Sequence, residues 1–450
     1  MANSNNKIVH LGNQFSHRPV ELTIDQCIKC NICVSVCPVA AVSDLFPGPK
    51  YEAPQAGRFR QARQPSPDSS VDLCSGCRVC NLACPTGVKI AEMNARARNV
   101  MVEQGKVSPL RRLRNNLIAR TEITGRLGQT FYPISNFLLS NPIVRRLVDF
   151  SLGIAHAAPL PPFTRQRFSR WWQQYHNNTS QTPAGDAKNQ VVYFYGCSTE
   201  YYEPRIGRAA IKVLEANGFE VIIPQQNCCG LPLLSNGEFD AAREHHIRNV
   251  SNLIEYARQG IPIVGTSTSC TLTLKEEAPE LLGMDDEATQ MVAAQTYDFN
   301  EFMLNHWYRT GVNGSSPTLQ PVSLKLAYHA PCQYRGHRLG NLAVEVLNQI
   351  PDLEIVESHA DCCGIAGTYG YKKEKYEISM AVGKPLFDFV LDVKGPVAVC
   401  DSETCRWQIT HGTGYPAIHP VEIIALAYGY EPEGTLAQLK KRRLVQDATE

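Results

Sequence analysis

The sequence contains no run of consecutive apolar residues approaching the roughly 18 that a membrane-spanning helix requires. The longest uncharged stretch of its middle region, Leu127 to Val144, is broken by Gly128, Gln129, Pro133, Asn136 and Asn141. Met1 to Val20 is polar, with no apolar h-region and no twin arginine, so export is not expected. Excess charge is missing too: the formal net charge is +1, which gives no argument for nucleic acid as a partner. No serine–histidine–acid pattern, phosphate loop, or flavin or nicotinamide fingerprint is present, so the chain alone is not expected to oxidise a substrate. Length and core are not lacking: 450 residues predict two or three domains, and 43% hydrophobic content is ample to fill them.

Cysteine is the residue in excess, with 17 in the chain. Without export these point to metal rather than disulfides, and to a reducing cytoplasm where oxygen is scarce. Eight fall into two identical frames, Cys27-x2-Cys30-x2-Cys33-x3-Cys37-Pro38 and Cys74-x2-Cys77-x2-Cys80-x3-Cys84-Pro85. This is the bacterial-type frame for [4Fe–4S] clusters, in which the fourth cysteine of each run serves the other cluster. One cluster is therefore assigned to Cys27, Cys30, Cys33 and Cys84, the other to Cys74, Cys77, Cys80 and Cys37. A zinc site would show pairs of C-x2-C, not a triple followed by C-P.

The stretch between the frames, Pro47 to Ser70, is rich in proline and glycine and reads as loop. From Val107 to Ser180 ten arginines (Arg111, Arg112, Arg114, Arg120, Arg126, Arg145, Arg146, Arg165, Arg167 and Arg170) face only two acids, Glu122 and Asp149. Apolar and aromatic residues are interleaved with them. Such a segment suits an anionic membrane surface, or equally a helical connector that packs on the cluster domains and offers arginines to a protein partner. Asn177 to Lys188 is polar and reads as the linker into the next domain.

The remaining cysteines repeat. Cys197, Cys228, Cys229 and Cys270 correspond to Cys332, Cys362, Cys363 and Cys405 at offsets of 135, 134, 134 and 135 residues, which marks two copies of one unit. Copy one predicts strands over 191–196, 219–224 and 261–266, with helices over Pro204 to Asn217 and about Asp240 to Gln259. Copy two predicts strands over 324–330, 353–358 and 396–399. Strands alternating with helices predict a parallel α/β unit, and every repeat cysteine falls just past the carboxyl end of a strand, where open α/β sheets bind ligands. The four thiols of each copy are thus candidates for a metal or iron–sulfur site or a catalytic dithiol; the plainer alternative is buried thiols acting as small hydrophobes. Gly364-Ile365-Ala366-Gly367-Thr368-Tyr369-Gly370 is not a nucleotide loop and reads as a turn near that site. His329 and His337 flank Cys332 and are either tuning groups or structural; His245 and His246 read as surface residues of a helix.

A cysteine, then a CCG turn, then S-x2-C resembles the cysteine-rich CCG domain of heterodisulfide reductases and related iron–sulfur subunits, whose last element is C-x2-C. The module order, together with Cys362-Cys363-Gly364-Ile365-Ala366-Gly367-Thr368-Tyr369-Gly370 and Glu403-Thr404-Cys405-Arg406-Trp407-Gln408-Ile409, resembles the C subunits of anaerobic glycerol-3-phosphate dehydrogenases over about residues 21–428. The resemblance implies a non-catalytic electron-transfer subunit that takes electrons from flavin-containing dehydrogenase subunits toward membrane menaquinone. It also implies a peripheral position on the cytoplasmic side of the inner membrane, and two [4Fe–4S] clusters with possible further sites in the repeats. Three rivals remain: the iron–sulfur subunit of a glycolate or lactate oxidase, a heterodisulfide-reductase-like catalytic subunit, and a chain that serves chiefly as membrane anchor. Ser267 and Ser402 stand where the CCG pattern has cysteine, and Cys400 is either a fifth ligand in copy two or a buried strand residue.

The expected fold class is α+β overall. A flexible leader (1–20) precedes an α-helical two-cluster ferredoxin-like module (21–106) and an arginine-rich helical connector (107–190). Two repeated α/β CCG domains with parallel sheets complete the chain (191–318 and 319–450).

Overall fold

The computed structural model describes residues 20–60, 68–179, 190–310, 319–338 and 340–447. The expected leader falls almost wholly on residues outside these, as does most of the expected linker at 177–188.

Two four-stranded sheets dominate the second half. In the first, β1 (Gln190–Phe194), β2 (Glu220–Ile222), β3 (Ile263–Gly265) and β4 (Thr296–Asp298) stand in the order β2-β1-β3-β4. In the second, β5 (Leu324–Tyr328), β6 (Leu353–Glu357), β7 (Val397–Val399) and β8 (Ala417–Ile418) repeat that order as β6-β5-β7-β8. All pairings are parallel. Helices cross between strands, as parallel pairing demands, and cover both faces, so the central strands read as buried apolar runs.

The two sheets share one core. Val191, Tyr193 and Val264 of the first and Leu326, Tyr328, Val397 and Val399 of the second belong to a single buried cluster. The helix after the first strand of copy one (Pro204–Ala216) packs on the helix after the fourth strand of copy two (Pro420–Ala427), and Phe299–Thr310 packs reciprocally on Leu342–Leu347. Each copy thus offers the other the same pair of surfaces, the signature of a two-fold contact. Buried ion pairs cross it: Arg406 to Glu203 at 2.6 Å and Arg205 to Glu422 at 2.9 Å.

The N-terminal module is short turns around one long helix, Ile90–Glu103. The stretch read as loop holds a turn of π-helix, Tyr51–Gln55, because Glu52, Ala53 and Pro54 bury against the module. The connector forms helices at Pro109–Ala119, Thr121–Thr130, Tyr132–Ser140 and Pro142–Leu152, with Phe168–Thr179 beyond them. The first packs against both the second and the fourth, closing a four-helix layer. Its outer surface is apolar: Ile123, Leu127, Ile134, Phe137, Ile143 (76% exposed) and Phe150 (86% exposed) all face outward. Tyr132–Ser140 carries no charge and buries no residue. Among the described residues no helix is long and apolar enough to cross a membrane.

Candidate metal centres

Each ferredoxin-like frame turns on residues in the left-handed region. Lys29 (φ 62°) and Asn31 (φ 70°) flank Cys30, and Gly76 (φ 69°) and Arg78 (φ 62°) flank Cys77 at the same two places. Three of those four carry a side chain, a backbone cost tolerated only where the surroundings over-determine the turn. Cys27, Cys30, Cys33 and Cys84 then line one cavity, and Cys37, Cys74, Cys77 and Cys80 line a second. Backbone and side-chain N–H groups point at the sulfurs: Ala40 N to Cys37 at 3.5 Å, Val88 N to Cys84 at 3.4 Å and Asn94 Nδ2 to Cys74 at 3.4 Å.

Electrostatics bears on what these thiols can hold. Burial, then neighbouring thiols, pushes Cys33 and Cys80 above the ordinary range, and burial takes Cys37 up to about 11. As thiolates with no positive partner these groups are disfavoured. A cationic core inside each ring reverses that, because a coordinating thiol is deprotonated outright. Four soft sulfur donors around a cavity, with N–H groups aimed at the sulfurs, fit an iron–sulfur cluster. Among the described residues no three histidine, cysteine or acidic side chains are placed to hold a single metal ion.

The repeat thiols gather as two further groups. In copy one the Cys197 and Cys228 sulfurs lie 4.0 Å apart, and the Thr121 hydroxyl donates to both, at 3.3 and 3.4 Å. Glu122 accepts the Cys228 N–H, and Cys229 and Cys270 share one core cluster. In copy two Cys363 and Cys405 are 3.0 Å apart, and Gly364 N points at Cys362 at 3.3 Å. Cys400 is fully buried at the end of β7 beside Cys405. The CCG glycines have φ of 90° at Gly230 and 89° at Gly364; this left-handed step costs glycine no steric penalty.

The groups are contiguous. Cys37 and Cys77 of the ferredoxin-like module pack in one cluster with Cys332 and Cys362 of copy two. Both copies then open on one shared cavity of about 130 Å³, lined by Cys197, Cys229, Cys270, Cys332, Cys363 and Cys405. Ile365, Ala366 and Gly367 of the glycine-rich turn line it too. Arg78, between Cys77 and Val79, bridges Glu92 and Glu277 at 3.2 Å each and ties the module to copy one.

Other site residues sit where their local packing puts them. His246, read as a surface residue, is fully buried, because its helix (Phe239–Arg258) turns Ala242, His246, Asn249, Val250 and Leu253 inward together. Burial pushes it down to about 4. His337 lies between the copies, its Nε2 3.2 Å from the Thr271 hydroxyl and 3.2 Å from the Thr268 carbonyl. Ser267 donates to the Glu403 carboxylate at 3.1 Å, and Ser402 is buried at the start of the Glu403–Thr413 helix. Thr121 and Glu122 were not singled out by any motif.

Fold and thiol sets together define an iron–sulfur protein built from a dicluster module and two cysteine-rich α/β domains. Residues 23–88 match the family described as 4Fe-4S dicluster domain, and residues 191–275 and 326–410 each match the cysteine-rich domain CCG. The chain is 36% identical over 409 residues to the C subunit of the anaerobic glycerol-3-phosphate dehydrogenase of Escherichia coli, covering 90% of this chain and 99% of that one. It belongs to the family of those C subunits. It is also 26% identical over 383 residues to the B subunit of the fumarate reductase (CoM/CoB) of Methanothermobacter marburgensis, covering 83% of this chain and 65% of the relative. Lactate utilization protein A of Bacillus thuringiensis is 28% identical over 196 residues, covering 41% of this chain and 75% of the relative.

Proposed function

We propose that this chain is the electron-transfer subunit of an anaerobic glycerol-3-phosphate dehydrogenase, linking a flavin-containing catalytic partner to menaquinone in the membrane. In this reading Cys27, Cys30, Cys33 and Cys84 hold one [4Fe–4S] cluster, and Cys37, Cys74, Cys77 and Cys80 the other. Cys197, Cys228, Cys229 and Cys270, and Cys332, Cys362, Cys363 and Cys405, hold further iron–sulfur centres. Bound clusters supply one-electron redox chemistry; the chain supplies ligation and burial, and the substrate chemistry belongs to the partner.

The observation that carries this reading is the unbroken series of thiol groups. It starts at a cavity beside the exposed Cys30, passes the buried set around Cys77, touches copy two through Cys332 and Cys362, and ends in the cavity both copies share. Most of the cysteines along that series are buried. Ser267 and Ser402, in place of C-x2-C cysteines, weigh against catalysis of the heterodisulfide type.

The apolar outer face of the four connector helices, flanked by the exposed Arg111, Arg112, Arg126 and Arg146, supports a second role: peripheral attachment to the cytoplasmic face of the inner membrane. Thr121, at the start of one of these helices, touches the copy-one thiols. The membrane-facing layer and the last site of the series therefore adjoin.

Low-temperature electron paramagnetic resonance on the native complex in anoxic membranes tests the main reading. Reduced-cluster signals are expected on adding glycerol 3-phosphate. Signals that arise only with lactate or glycolate would reassign the chain to a 2-hydroxy-acid oxidase.

A further inference from the structure

The two copies differ at the places where their strands meet the thiols. In copy one, Phe194 ends β1 and packs among Cys229 and Cys270. The repeat offset of 135 places His329 at the matching position of copy two, directly after β5. The same offset sets Cys400 against Gly265. Copy two thus has a nitrogen group and a fifth thiol where copy one has a phenyl ring and a hydrogen atom.

His329 is 1% exposed, and neither ring nitrogen has a hydrogen-bond partner among the described residues. Its backbone N–H is fixed to the Val399 carbonyl at 2.9 Å, so the ring is rooted in the centre of the sheet. The charged and ionisable groups that act on it are Cys405 and Cys362, both members of the copy-two group, and the Arg335 and Asp361 pair. A neutral imidazole always carries one N–H, and a buried N–H without an acceptor is costly. Copy two already has as many repeat thiols as copy one, with Cys400 besides, so no ligand position calls for the nitrogen. What the ring lacks is an acceptor, and the sulfurs of Cys405 and Cys362 are among the groups near it.

We propose that His329 donates an imidazole N–H to a sulfur of the iron–sulfur centre held by Cys332, Cys362, Cys363 and Cys405, and so raises the reduction potential of that centre. The proposal rests on the reading of these cysteines as cluster ligands. A hydrogen bond to sulfur stabilises the more negative, reduced state, which is the direction in which it raises a potential. At the matching place in copy one Phe194 offers only carbon; the donor to the copy-one sulfurs is the Thr121 hydroxyl of the connector. His329 is here a positioning and tuning residue, not a catalytic one.

The test uses the full-length protein purified without oxygen, its iron content, a redox titration followed by paramagnetic resonance, and pulsed measurement of nitrogen couplings with and without 15N-histidine. His329→Phe copies the residue the fold already accepts in copy one, and His329→Gln keeps an N–H donor. The expected result is a weak histidine-nitrogen coupling on one repeat-centre signal. That coupling is lost in His329→Phe with a shift of the midpoint to lower potential, and His329→Gln recovers part of the shift. A content of about eight irons per chain, the amount two four-iron cubes hold, would remove the cluster from copy two and the proposal with it. Iron well above that, with no nitrogen coupling or with an unmoved midpoint in His329→Phe, would overturn the hydrogen bond alone. A strong coupling of a directly bonded nitrogen would also overturn it, by making His329 a ligand.

Discussion

Gly230 and Gly364 hold the same place in the two CCG turns but meet different neighbours. A Cβ at Gly230 would stand 3.3 Å from the Ala242 carbonyl oxygen, whereas at Gly364 it would fall on the Ser379 carbonyl oxygen. Gly230→Ala is therefore expected to fold with a penalty of about 1–2 kcal/mol, the cost of a left-handed alanine. Gly364→Ala should not accumulate as folded, iron-containing protein. Urea unfolding and iron content of the two variants check this. The cysteines were legible because their spacing along the chain is regular: two identical frames, then four offsets of 134 or 135 residues. Thr121 and Glu122 were not, since they reach Cys197 and Cys228 across 76 and 106 residues, a distance in sequence that only tertiary packing bridges. The one available hint was compositional: Glu122 is one of two acids in a stretch with ten arginines.

Among the elements, the first three strands of each copy were readable as apolar runs punctuated by glycine and proline. β4 and β8 were not, being three and two residues long at sheet edges, with Thr296 and Asp298 polar. The connector's helices were foreseen, but whether their arginines bind lipid or protein was not, because Arg114, Arg120 and Arg145 turn out to serve the fold: Arg114 pairs with Glu374 at 2.7 Å, Arg120 with Glu238 at 3.2 Å, and Arg145 donates to the Ala158 carbonyl at 2.6 Å. In the proposed membrane attachment the exposed apolar residues would carry the contact instead. Replacing Phe137 and Phe150 together by glutamate is expected to abolish co-flotation with anionic liposomes while leaving iron content unchanged. The unsubstituted protein should stay on the vesicles in high salt, since apolar insertion is not screened. One polar joint in this region is pH-dependent. Asp149 sits at the end of its helix beside Lys373 (2.8 Å) and His156 (2.7 Å); burial would raise its carboxyl, but these partners outweigh it and hold it at about 2. A depressed acid stabilises above its unfolded value of about 3.9, and that contribution fades as pH falls toward the folded one. The urea midpoint of the protein should exceed that of Asp149→Asn at neutral pH and approach it as pH drops from about 5 to about 3.

For the molecule as a whole, the two copies stand or fall together. Glu203 of copy one is buried and accepts from Arg406 of copy two at 2.6 Å and from Arg205 at 2.7 Å. Glu203→Ala leaves Arg406 buried with no carboxylate, which typically costs roughly 3–5 kcal/mol. A single cooperative urea transition shifted to lower denaturant is expected; two separated transitions would show that the copies unfold independently. The reciprocal helix contacts between the copies also bear on how such a chain could arise. A single ancestral unit with these surfaces would have paired with its own twin, and twins encoded by one gene must keep identical sites. Joined head to tail after duplication, the halves are free to drift apart, so that a phenylalanine on one side can become a histidine on the other. One chain then owns two unequal thiol sites where a homodimer would have been bound to two equal ones.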